Sequence, residues 1–446
     1  MAEDARTVFT AAVRSGDPYE CVRRHLTIKD RLLHLGGTAA RLELDAVKRV
    51  VVVGAGKATA LMAKAVEDVF RDLEISITGC ISVKYGHRAE LKHVRTVEAG
   101  HPVPDQNGLK AARRILGLLA NTNSGDVIVS LVSGGGSALL PYPVDGVSLE
   151  EKRITTQLLL ACGATIDEIN CVRKHLSLVK GGWLARAASP TPVLNLLLSD
   201  VLGDRHDVIG SGPFVADETT FTDAHSVLER YELFPRLPGN VVEHIEAGLK
   251  GRRDETPKTT DPAFSRVYTR VIGANPQALA AAKHCAEELG YNALVLSSFA
   301  KGEAKEIGKL LAAIAREIRE RECPIATPAC VILGGETTVT IQGSGKGGRN
   351  QELALAACIE ISGLPNVVAF AAGTDGSDGP TDAAGAWCDG ETFGRGRAIG
   401  VDAVQHLRDN DSYHYFQRLH SLLITGPTGT NLMDIYMVMV GRPKTT

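Results

Sequence analysis

The sequence has few aromatic residues, almost no net charge and no long apolar run. Of its 446 residues 5% are aromatic, and the formal net charge at pH 7 is -3. Proteins specialised for nucleic acid carry basic patches and often stack bases on aromatic rings, so this composition predicts no nucleic-acid partner. No apolar run reaches the roughly 20 residues that a membrane-spanning helix needs, and we therefore expect no membrane partner.

Cysteine and histidine are present but do not form metal-binding spacings. Nine cysteines are scattered along the chain without a C-x-x-C pair, which argues against a disulfide framework and against a zinc site. The thirteen histidines include no H-x-x-x-H pair. Residues 1–17 contain acidic side chains and no long apolar core, unlike a secretory signal. We expect a protein of a reducing compartment, the cytoplasm, with the mitochondrion as the alternative.

Short apolar runs alternate with helical patterns along the whole chain. The segments VKRVVVVG, TGCISVKYG, DVIVSLVSGGG and TPVLNLLLSD have the composition of buried strands, and helical periodicity follows between them. This alternation predicts an α/β fold with a doubly wound parallel sheet. The polar, proline-bearing segment 251–264 lacks apolar periodicity and predicts a boundary, so that residues 1–252 and 253–446 form two domains. The cleft between two such domains is the expected place for a ligand.

The stretch VVVGAGKATA, residues 51–60, predicts a strand, a glycine turn and the start of a helix. A Walker A loop would need glycine at position 51 and a hydroxyl residue at position 58, where valine and alanine stand. The dinucleotide fingerprint G-x-G-x-x-G fails as well, because Thr59 occupies its third glycine position. Lys57 follows the glycine turn at the positive end of the helix, which predicts an anion between the two. A solvent-exposed surface lysine is the alternative.

Two further glycine-rich loops stand before predicted helices. The segment GSGKGGRNQE, residues 343–352, places Lys346 and Arg349 next to a helix start, where cations and free backbone N–H groups would bind an anion. The segment SGGGSALL, residues 133–140, follows a strand, and its glycines let backbone N–H groups approach an anion closely. Ser137 is a weak candidate for a nucleophile, because the G-x-S-x-G signature lacks its last glycine. A flexible basic loop is the alternative for residues 343–352.

Acidic residues follow several predicted strands. Asp200 ends TPVLNLLLSD, Glu336 follows ACVILGG, and Asp375 and Asp378 follow NVVAFAAG. The carboxyl ends of strands in an open α/β sheet are the usual place for ligand-binding residues. A carboxylate there could accept the proton of a hydroxyl group or bind magnesium, and Asp200 is the candidate metal ligand. The alternative is that these aspartates cap turns.

Taken in order along the chain, these motifs resemble the class II glycerate kinase family, whose C-terminal region is called the MOFRL domain. The matching segments include VVGAGKA, GHPVPD, LVSGGGSALL, VRKHLS, LLLSDV, GGETTV, GSGKGGRNQELAL, GTDGSDGPTDAAGAW and TGPTGTNLMD. They span nearly the whole chain, and the animal enzymes look closest. The resemblance implies two Rossmann-like domains with mostly parallel sheets and an active-site cleft between them.

The resemblance also implies an activity and its residues. Members phosphorylate D-glycerate with ATP and Mg2+, to 2- or 3-phosphoglycerate, and their catalytic lysine, aspartate and arginine fall on Lys57, Asp200 and Arg349. Which of the two cations serves phosphate and which serves carboxylate stays open, as does assembly into a homo-oligomer. Alternative functions are a hydroxypyruvate reductase and a non-catalytic protein that binds a small anion. The residues predicted to bind substrate or nucleotide are Gly54, Gly56, Ser133, Gly134, Gly135, Gly136, Ser137, Asn275, Glu336, Lys346, Thr374, Asp375 and Asp378.

Overall fold

The computed structural model describes residues 1–442, and the last four residues of the predicted second domain lie outside this range. The α-helices of the described chain are α1 (Ala2–Ser15), α2 (Pro18–His25), α3 (Thr59–Val69), α4 (Gln106–Ala120), α5 (Gly136–Leu139), α6 (Leu149–Ala161), α7 (Ile166–His175), α8 (Trp183–Ala188), α9 (Phe221–Arg230), α10 (Gly239–Leu249), α11 (Asn275–Glu288), α12 (Ala304–Arg321), α13 (Arg349–Glu360), α14 (Thr392–Ala398), α15 (Ala403–Arg408) and α16 (Ser412–Arg418). The β-strands are β1 (Leu26–Lys29), β2 (Leu32–Leu35), β3 (Arg41–Glu43), β4 (Arg49–Ala55), β5 (Ser76–Lys84), β6 (Val94–Ala99), β7 (Asp126–Val132), β8 (Val193–Leu198), β9 (Val267–Gly273), β10 (Asn292–Ala300), β11 (Ala329–Gly335), β12 (Val367–Gly373), β13 (Gly385–Asp389), β14 (Leu422–Leu423) and β15 (Asp434–Val440).

The chain folds as two compact units. One of them, here called the continuous unit, is the uninterrupted segment Pro18–Ile272. The other, here called the split unit, combines Met1–Asp17 with the residues from Gly273 onwards. The N-terminal helix α1 packs on α11, and its Phe9 ring lies 5.5 Å from the Phe370 ring of β12. This packing explains why the first residues of the chain belong with the second half of the sequence.

The units do not follow the predicted boundary between residues 252 and 253. The polar segment 251–264 is a loop on the continuous unit, where the Thr256 hydroxyl donates to the Asp217 carboxylate at 3.0 Å and the Asp217 N–H donates to the Pro257 carbonyl at 3.0 Å. The next strand, β9, then completes the sheet of the same unit. Polar composition therefore marked a surface loop, and the chain leaves the continuous unit about 20 residues later, after Ile272.

The continuous unit has the doubly wound parallel sheet that the sequence predicts. Its six strands lie in the order β6-β5-β4-β7-β8-β9, and successive neighbours from β6 to β8 pair in parallel. Within this sheet β4 is the first strand along the chain. The chain then adds β5 and β6 on one side of β4 and returns to place β7 on its other side. The order therefore reverses between β4 and β7. Ligands of open α/β sheets bind beyond the carboxyl ends of the strands at such a reversal.

The split unit has a different sheet. Its six strands lie in the order β10-β11-β15-β12-β13-β14, and only β10 and β11 form a parallel pair among the described strands. The last strand of the described chain, β15, inserts between β11 and β12 and runs antiparallel to both. The α/β class is confirmed, but the expectation of a mostly parallel sheet is wrong for this unit.

The sequence pattern explains the error in the split unit. Strands β11, β12 and β15 are buried along their whole length and read as continuous apolar runs. Continuous apolar runs are typical of parallel strands between two helix layers, but they report burial of both faces and not strand direction. Within residues 1–442 no helix is long and apolar enough to cross a lipid bilayer.

Candidate active site

Lys57 lies at the reversal point of the sheet in the continuous unit. It follows β4, and the loop Ser133–Ser137 follows the neighbouring strand β7. Gly56 has a φ of 149°, and a Cβ atom built there would lie 1.9 Å from the Ser133 hydroxyl. Gly54 is crowded in the same way, since its Cβ would lie 2.0 Å from the Leu131 carbonyl oxygen. These two glycines are therefore required by the close approach of β4 and β7, and not by a nucleotide fingerprint.

Ser133 joins the two loops. Its hydroxyl accepts a hydrogen bond from the Ala58 N–H at 3.1 Å and lies 3.2 Å from the Thr59 hydroxyl, at the start of α3. The Lys57 N–H donates to the Gly134 carbonyl at 2.9 Å. The predicted ligand residue Ser133 is almost completely buried. Its role in the structure is to fix the backbone that carries Lys57.

The glycines at 134 and 135 lie next to the carboxylate of Asp200 and the side chains of Lys57 and His101. A Cβ atom on Gly134 would lie 2.2 Å from an oxygen of Asp200, which follows β8. A Cβ atom on Gly135 would lie 2.9 Å from the His101 ring and 3.5 Å from Cγ of Lys57. The structure thus brings two of the predicted catalytic residues, Lys57 and Asp200, to the same glycine loop of one unit.

His101 also lies at this site, with its ring beside Gly135. Burial, with the positive charges of Lys57, Lys84 and His87, lowers the pKa of His101 to about 4. Its imidazole is therefore neutral at neutral pH and adds no charge beside Lys57. Its presence in the segment GHPVPD gave no metal or nucleophile pattern from which a role could be inferred.

Ser137 lies on the side of the loop that carries two cations which the sequence reasoning missed. An Arg173 Nη2 N–H donates to the Ser137 hydroxyl at 2.6 Å, and Lys180 Nζ donates to the Ser137 carbonyl at 2.8 Å. The Ser137 hydroxyl also lies 2.8 Å from the hydroxyl of Ser211. Among the described contacts of this hydroxyl there is no acid–base pair of the kind that activates a serine nucleophile. Arg173 belongs to the segment VRKHLS and Lys180 to the segment KGG. Both are more than 30 residues from Ser137 along the chain, so the sequence does not show that they contact it.

Arg349 of the split unit is held by a buried carboxylate. Its Nε and Nη2 groups donate to the two oxygens of Asp434 at 2.5 and 2.9 Å, and its Nη1 group lies 2.9 Å from Glu336. Asp434 is completely buried, and the Tyr436 hydroxyl donates to it at 3.0 Å. Burial alone would lower the pKa of Arg349, but the hydrogen bond and charge of Asp434 outweigh it and raise the pKa above its ordinary value.

Asp434 is the most informative residue that the sequence reasoning missed in this unit. It begins the buried strand β15, directly after TGPTGTNLM. An aspartate at the start of a buried apolar strand could have been singled out as a candidate site residue, as Asp200 was at the end of one. Glu336, the second partner of Arg349, is half exposed. Partial burial and the carboxylates of Asp434 and Asp375 raise the pKa of Glu336, against the opposing charge of Arg349.

Three predicted ligand residues of the split unit have buried side chains with backbone partners. Asn275 donates to the carbonyl of residue 432 at 2.7 Å and to that of Asp434 at 3.1 Å. Thr374 donates to the carbonyl of residue 433 at 2.6 Å. The Asp378 carboxylate accepts the N–H groups of residues 350 and 351 at the start of α13, and burial raises its pKa to about 6. These contacts favour a positioning role over direct contact with a ligand.

The glycine-rich loop before α13 packs closely on the segment 409–412. A Cβ atom on Gly343 would lie 2.3 Å from Asp409, and one on Gly345 would lie 2.4 Å from Asp411. Lys346 Nζ lies 4.1 Å from the centre of the Tyr413 ring, a cation–π contact. The Asp375 carboxylate accepts the Ser377 N–H at 3.0 Å and so closes a turn. The glycines of this loop are therefore explained by close backbone packing, and Lys346 by its aromatic partner.

No protein-only metal site is assembled in the described chain. Within residues 1–442 no three His, Cys, Asp or Glu side chains converge in a group that could hold a metal ion. Magnesium in phosphoryl-transfer enzymes is usually bound by one or two carboxylates together with substrate phosphates and water. A single carboxylate beside a glycine loop, as Asp200 is, fits that arrangement, whereas a dedicated all-protein cage is not present among these residues.

Comparison with known proteins identifies the family. A family model described as a domain of unknown function, DUF4147, matches residues 4–246, which is more than half of the chain, and the MOFRL family model matches residues 329–434. The glycerate 2-kinase of Pyrococcus horikoshii is 42% identical over 96% of this chain and 95% of its own length. The chain belongs to the MOFRL-type glycerate kinase family.

Other members of the glycerate kinase family are similar over comparable lengths. The D-glycerate 2-kinase of Thermotoga maritima is 44% identical over 90% of this chain and 93% of its own length. The crystal structure of the Thermotoga maritima glycerate kinase superposes with a TM-score of 0.87 at 40% identity, covering 98% of this chain and 99% of that one. The mouse glycerate kinase is 36% identical. The human glycerate kinase is also 36% identical, over the whole of this chain, so the resemblance to animal glycerate kinases that the motifs give is confirmed.

Proposed function

We propose that this glycerate kinase family member transfers the γ-phosphate of ATP to D-glycerate. The observation that carries the proposal is the position of Lys57 and Asp200 beside the same glycine loop after β7, at the reversal point of the sheet. Phosphoryl transfer requires positioning and charge neutralisation more than covalent chemistry. A cation, free backbone N–H groups and a carboxylate around one loop are the groups that such a reaction uses.

The proposed roles follow from the chemistry of each group. Lys57 neutralises the charge of the transferring phosphate, and the backbone N–H groups of Gly134 and Gly135 donate to anionic oxygens, whereas the Gly136 N–H donates to the Ser133 carbonyl at 3.1 Å. Asp200 orients the attacking hydroxyl group and accepts its proton. When bound with the nucleotide, Mg2+ would supply further neutralisation of phosphate charge, and Asp200, beside this loop, is the carboxylate that would hold it.

Arg349 is proposed to bind an anionic group of a reactant. Three of its nitrogens are engaged by Asp434 and Glu336, but a guanidinium has five N–H donors, so two remain for a ligand. The rigid hold of Asp434 fixes the plane of the guanidinium, which suits the bidentate recognition of a carboxylate or phosphate. Glu336, being half exposed, is the partner that a ligand would displace.

We infer that the 2-hydroxyl group of D-glycerate is the acceptor. The two relatives that are 42% and 44% identical are named as glycerate 2-kinases, and the family members from animals carry the name glycerate kinase without a position. The test is phosphorus NMR of the product formed by the purified chain from D-glycerate, ATP and Mg2+. A 2-phosphoglycerate signal is the expected result, and a 3-phosphoglycerate signal would overturn the assignment of the hydroxyl group.

A second candidate activity is reduction of hydroxypyruvate. A protein of Agrobacterium vitis that is provisionally named a hydroxypyruvate reductase is 40% identical over 98% of this chain. The turn after β4 lacks the third glycine of a dinucleotide fingerprint, since Thr59 stands there, and this favours the kinase. Oxidation of NADH by the purified chain with hydroxypyruvate would support the reductase. Binding of D-glycerate with neither ADP release nor NADH oxidation would support the non-catalytic alternative.

A further inference from the structure

A cavity of about 270 Å³ in the continuous unit has a strongly cationic floor. Residues 102–104 and residues of α6 and α7 form its walls. The side chains of Lys152, Arg173 and Lys180 line it together with Ser137. Lys152 and Lys180 are almost completely buried, at 5% and 1% relative exposure. Burial of three cations in one cavity is expensive unless negative charge compensates them.

The protein does not supply that negative charge. Among the described residues that line the cavity there is no aspartate or glutamate. Lys152 Nζ donates to the Leu176 carbonyl at 2.8 Å, and Lys180 Nζ donates to the Ser137 carbonyl at 2.8 Å, so both ammonium groups are bound to neutral oxygens. The neighbouring Lys174 differs, because it lies 3.3 Å from Asp207 and from Asp217.

Arg173 provides the independent sign of a missing ligand. Its Nη2 group donates to the Ser137 hydroxyl, but its Nε atom is buried and has no hydrogen-bond partner in the described structure. Burial lowers the pKa of Arg173 to about 10, and burial together with the charge of Arg173 lowers the pKa of both lysines well below their ordinary value. Every group on the cavity floor would therefore be stabilised by an added anion.

The walls and the volume of the cavity limit the size of the anion that it can hold. Its walls are mostly apolar and include Pro102, Pro104, Pro141, Leu160 and Ile169. A volume of about 270 Å³ holds a small organic or inorganic anion with its water, and apolar walls strengthen each charge-assisted hydrogen bond to it.

We propose that Lys152, Arg173 and Lys180 form a second anion-binding site, which takes a small oxyanion, carboxylate or phosphate, at the Ser137 side of the glycine loop. Lys57 and Asp200 lie at the other side of that loop, by Gly134 and Gly135. The proposal concerns binding alone and does not depend on phosphoryl transfer. The proposed reaction uses Lys57 as the only cation of the continuous unit, and this second site is additional to it.

The test measures thermal stability and calorimetric binding with inorganic phosphate, and separately with D-glycerate, at constant ionic strength in chloride buffer. The unsubstituted protein should show saturable stabilisation by at least one of the two probes. Lys180→Met and Arg173→Met should each weaken that binding at least tenfold. Without added anion, both variants should melt at the same temperature as the unsubstituted protein or higher, since each removes a buried, uncompensated charge.

Two further variants make the result specific. Lys110→Gln removes one exposed cation of the same unit and should leave the binding unchanged. Lys57→Ala should retain binding at the second site; loss of all anion binding in that variant, with full retention in Lys180→Met, would place the anion at Lys57 and overturn the proposal. A melting temperature of Lys180→Met far below that of the unsubstituted protein, with unchanged anion affinity, would show that the cations are structural and would overturn it too.

The two probes also distinguish the source of the oxyanion. If the D-glycerate binding that Lys57→Ala retains is lost with Lys180→Met, the second site takes a carboxylate, and if only phosphate binding is lost, it takes a phosphate. A protein with no phosphoryl transfer activity but with intact anion binding at these cations would contradict the proposed function and leave this proposal supported.

Discussion

Asp434 holds Arg349 by two parallel hydrogen bonds, and this pair joins the first residue of α13 to the first residue of β15. The carboxylate is completely buried, whereas the guanidinium is a third exposed. The exposed part of Arg349 is the part that a ligand can reach. Asp434 therefore acts through Arg349, as a positioning residue.

The pair predicts a large effect of removing the buried partner. Asp434→Ala should lower the free energy of unfolding by roughly 3 kcal/mol, because it leaves a partly buried cation without its counter-charge. Denaturant unfolding followed by circular dichroism measures the change. Glu287→Ala, which removes the half-exposed partner of Lys283 on α11, is the matched control and should cost less than about 1 kcal/mol. Equal effects of the two substitutions would contradict the structural role given to Asp434.

The roles of Lys57 and Asp200 predict losses of turnover without loss of fold. Lys57→Ala should reduce kcat for ADP release with D-glycerate by about 100-fold or more, the usual effect of removing one group that stabilises developing charge. Asp200→Asn should reduce kcat and flatten the acidic limb of the pH–rate profile, because the amide cannot accept a proton. Both purified variants should keep the far-ultraviolet circular dichroism of the unsubstituted protein. Near-normal turnover in either one would remove that residue from the chemistry.

Local features of the site could be predicted from the sequence, whereas features that depend on distant segments could not. The strand, glycine turn and helix around Lys57 were predicted correctly, since each is encoded within about ten residues. The clustering of Asp200 with Lys57 follows from the parallel sheet, because the carboxyl ends of parallel strands meet at one edge. The partner of Arg349 lies 85 residues away in sequence, and no local pattern links the two.

The fold of the split unit shows the same limit. Apolar composition identified β11 and β12 as buried strands, but it did not reveal that β15 inserts between them in the opposite direction. The helix α13 begins after Gly348 without a side-chain cap from its own loop, and the carboxylate of Asp378 accepts N–H groups of its first turn. The cap of this helix is thus a side chain from another loop, and the sequence of the helix and its own loop cannot predict a cap of that kind.

The packing of Gly134 predicts a variant that changes activity more than stability. A methyl group at this position would lie 2.2 Å from a carboxylate oxygen of Asp200, the flexible end of a side chain that can move aside. Gly134→Ala should therefore shift the melting temperature little but lower kcat at least tenfold. Gly117→Ala in α4 is the control, because nothing lies within 4 Å of its Cβ position and alanine favours a helix. Loss of activity in both variants, or in neither, would contradict the position of Asp200.

The His175–Glu255 pair predicts how stability depends on pH. Burial alone would lower the pKa of His175, but its bonds to the Cys171 carbonyl and to Glu255, 3.2 Å away, raise the pKa to about 9. The stabilisation is then fully present below the ordinary histidine pKa of about 6.5 and is lost as pH rises through about 9. Since Glu255 is 40% exposed, we expect a loss of about 1–2 kcal/mol between pH 6 and pH 10.

Glu255, the partner of His175, contributes to the pH dependence of stability at low pH. Burial would raise the pKa of Glu255, but the hydrogen bonds from His175 and the Phe221 N–H, together with the charges of His175 and Lys258, outweigh it and lower the pKa to about 2. This contribution is therefore lost as pH falls from about 4.5 through 2. Urea unfolding of Glu255→Gln at several pH values should show a smaller loss between pH 6 and pH 10 than the unsubstituted protein. Glu246→Gln, which alters an exposed partner of Lys250, should keep the original dependence. If Glu255→Gln kept it as well, His175 would not owe its raised pKa to Glu255.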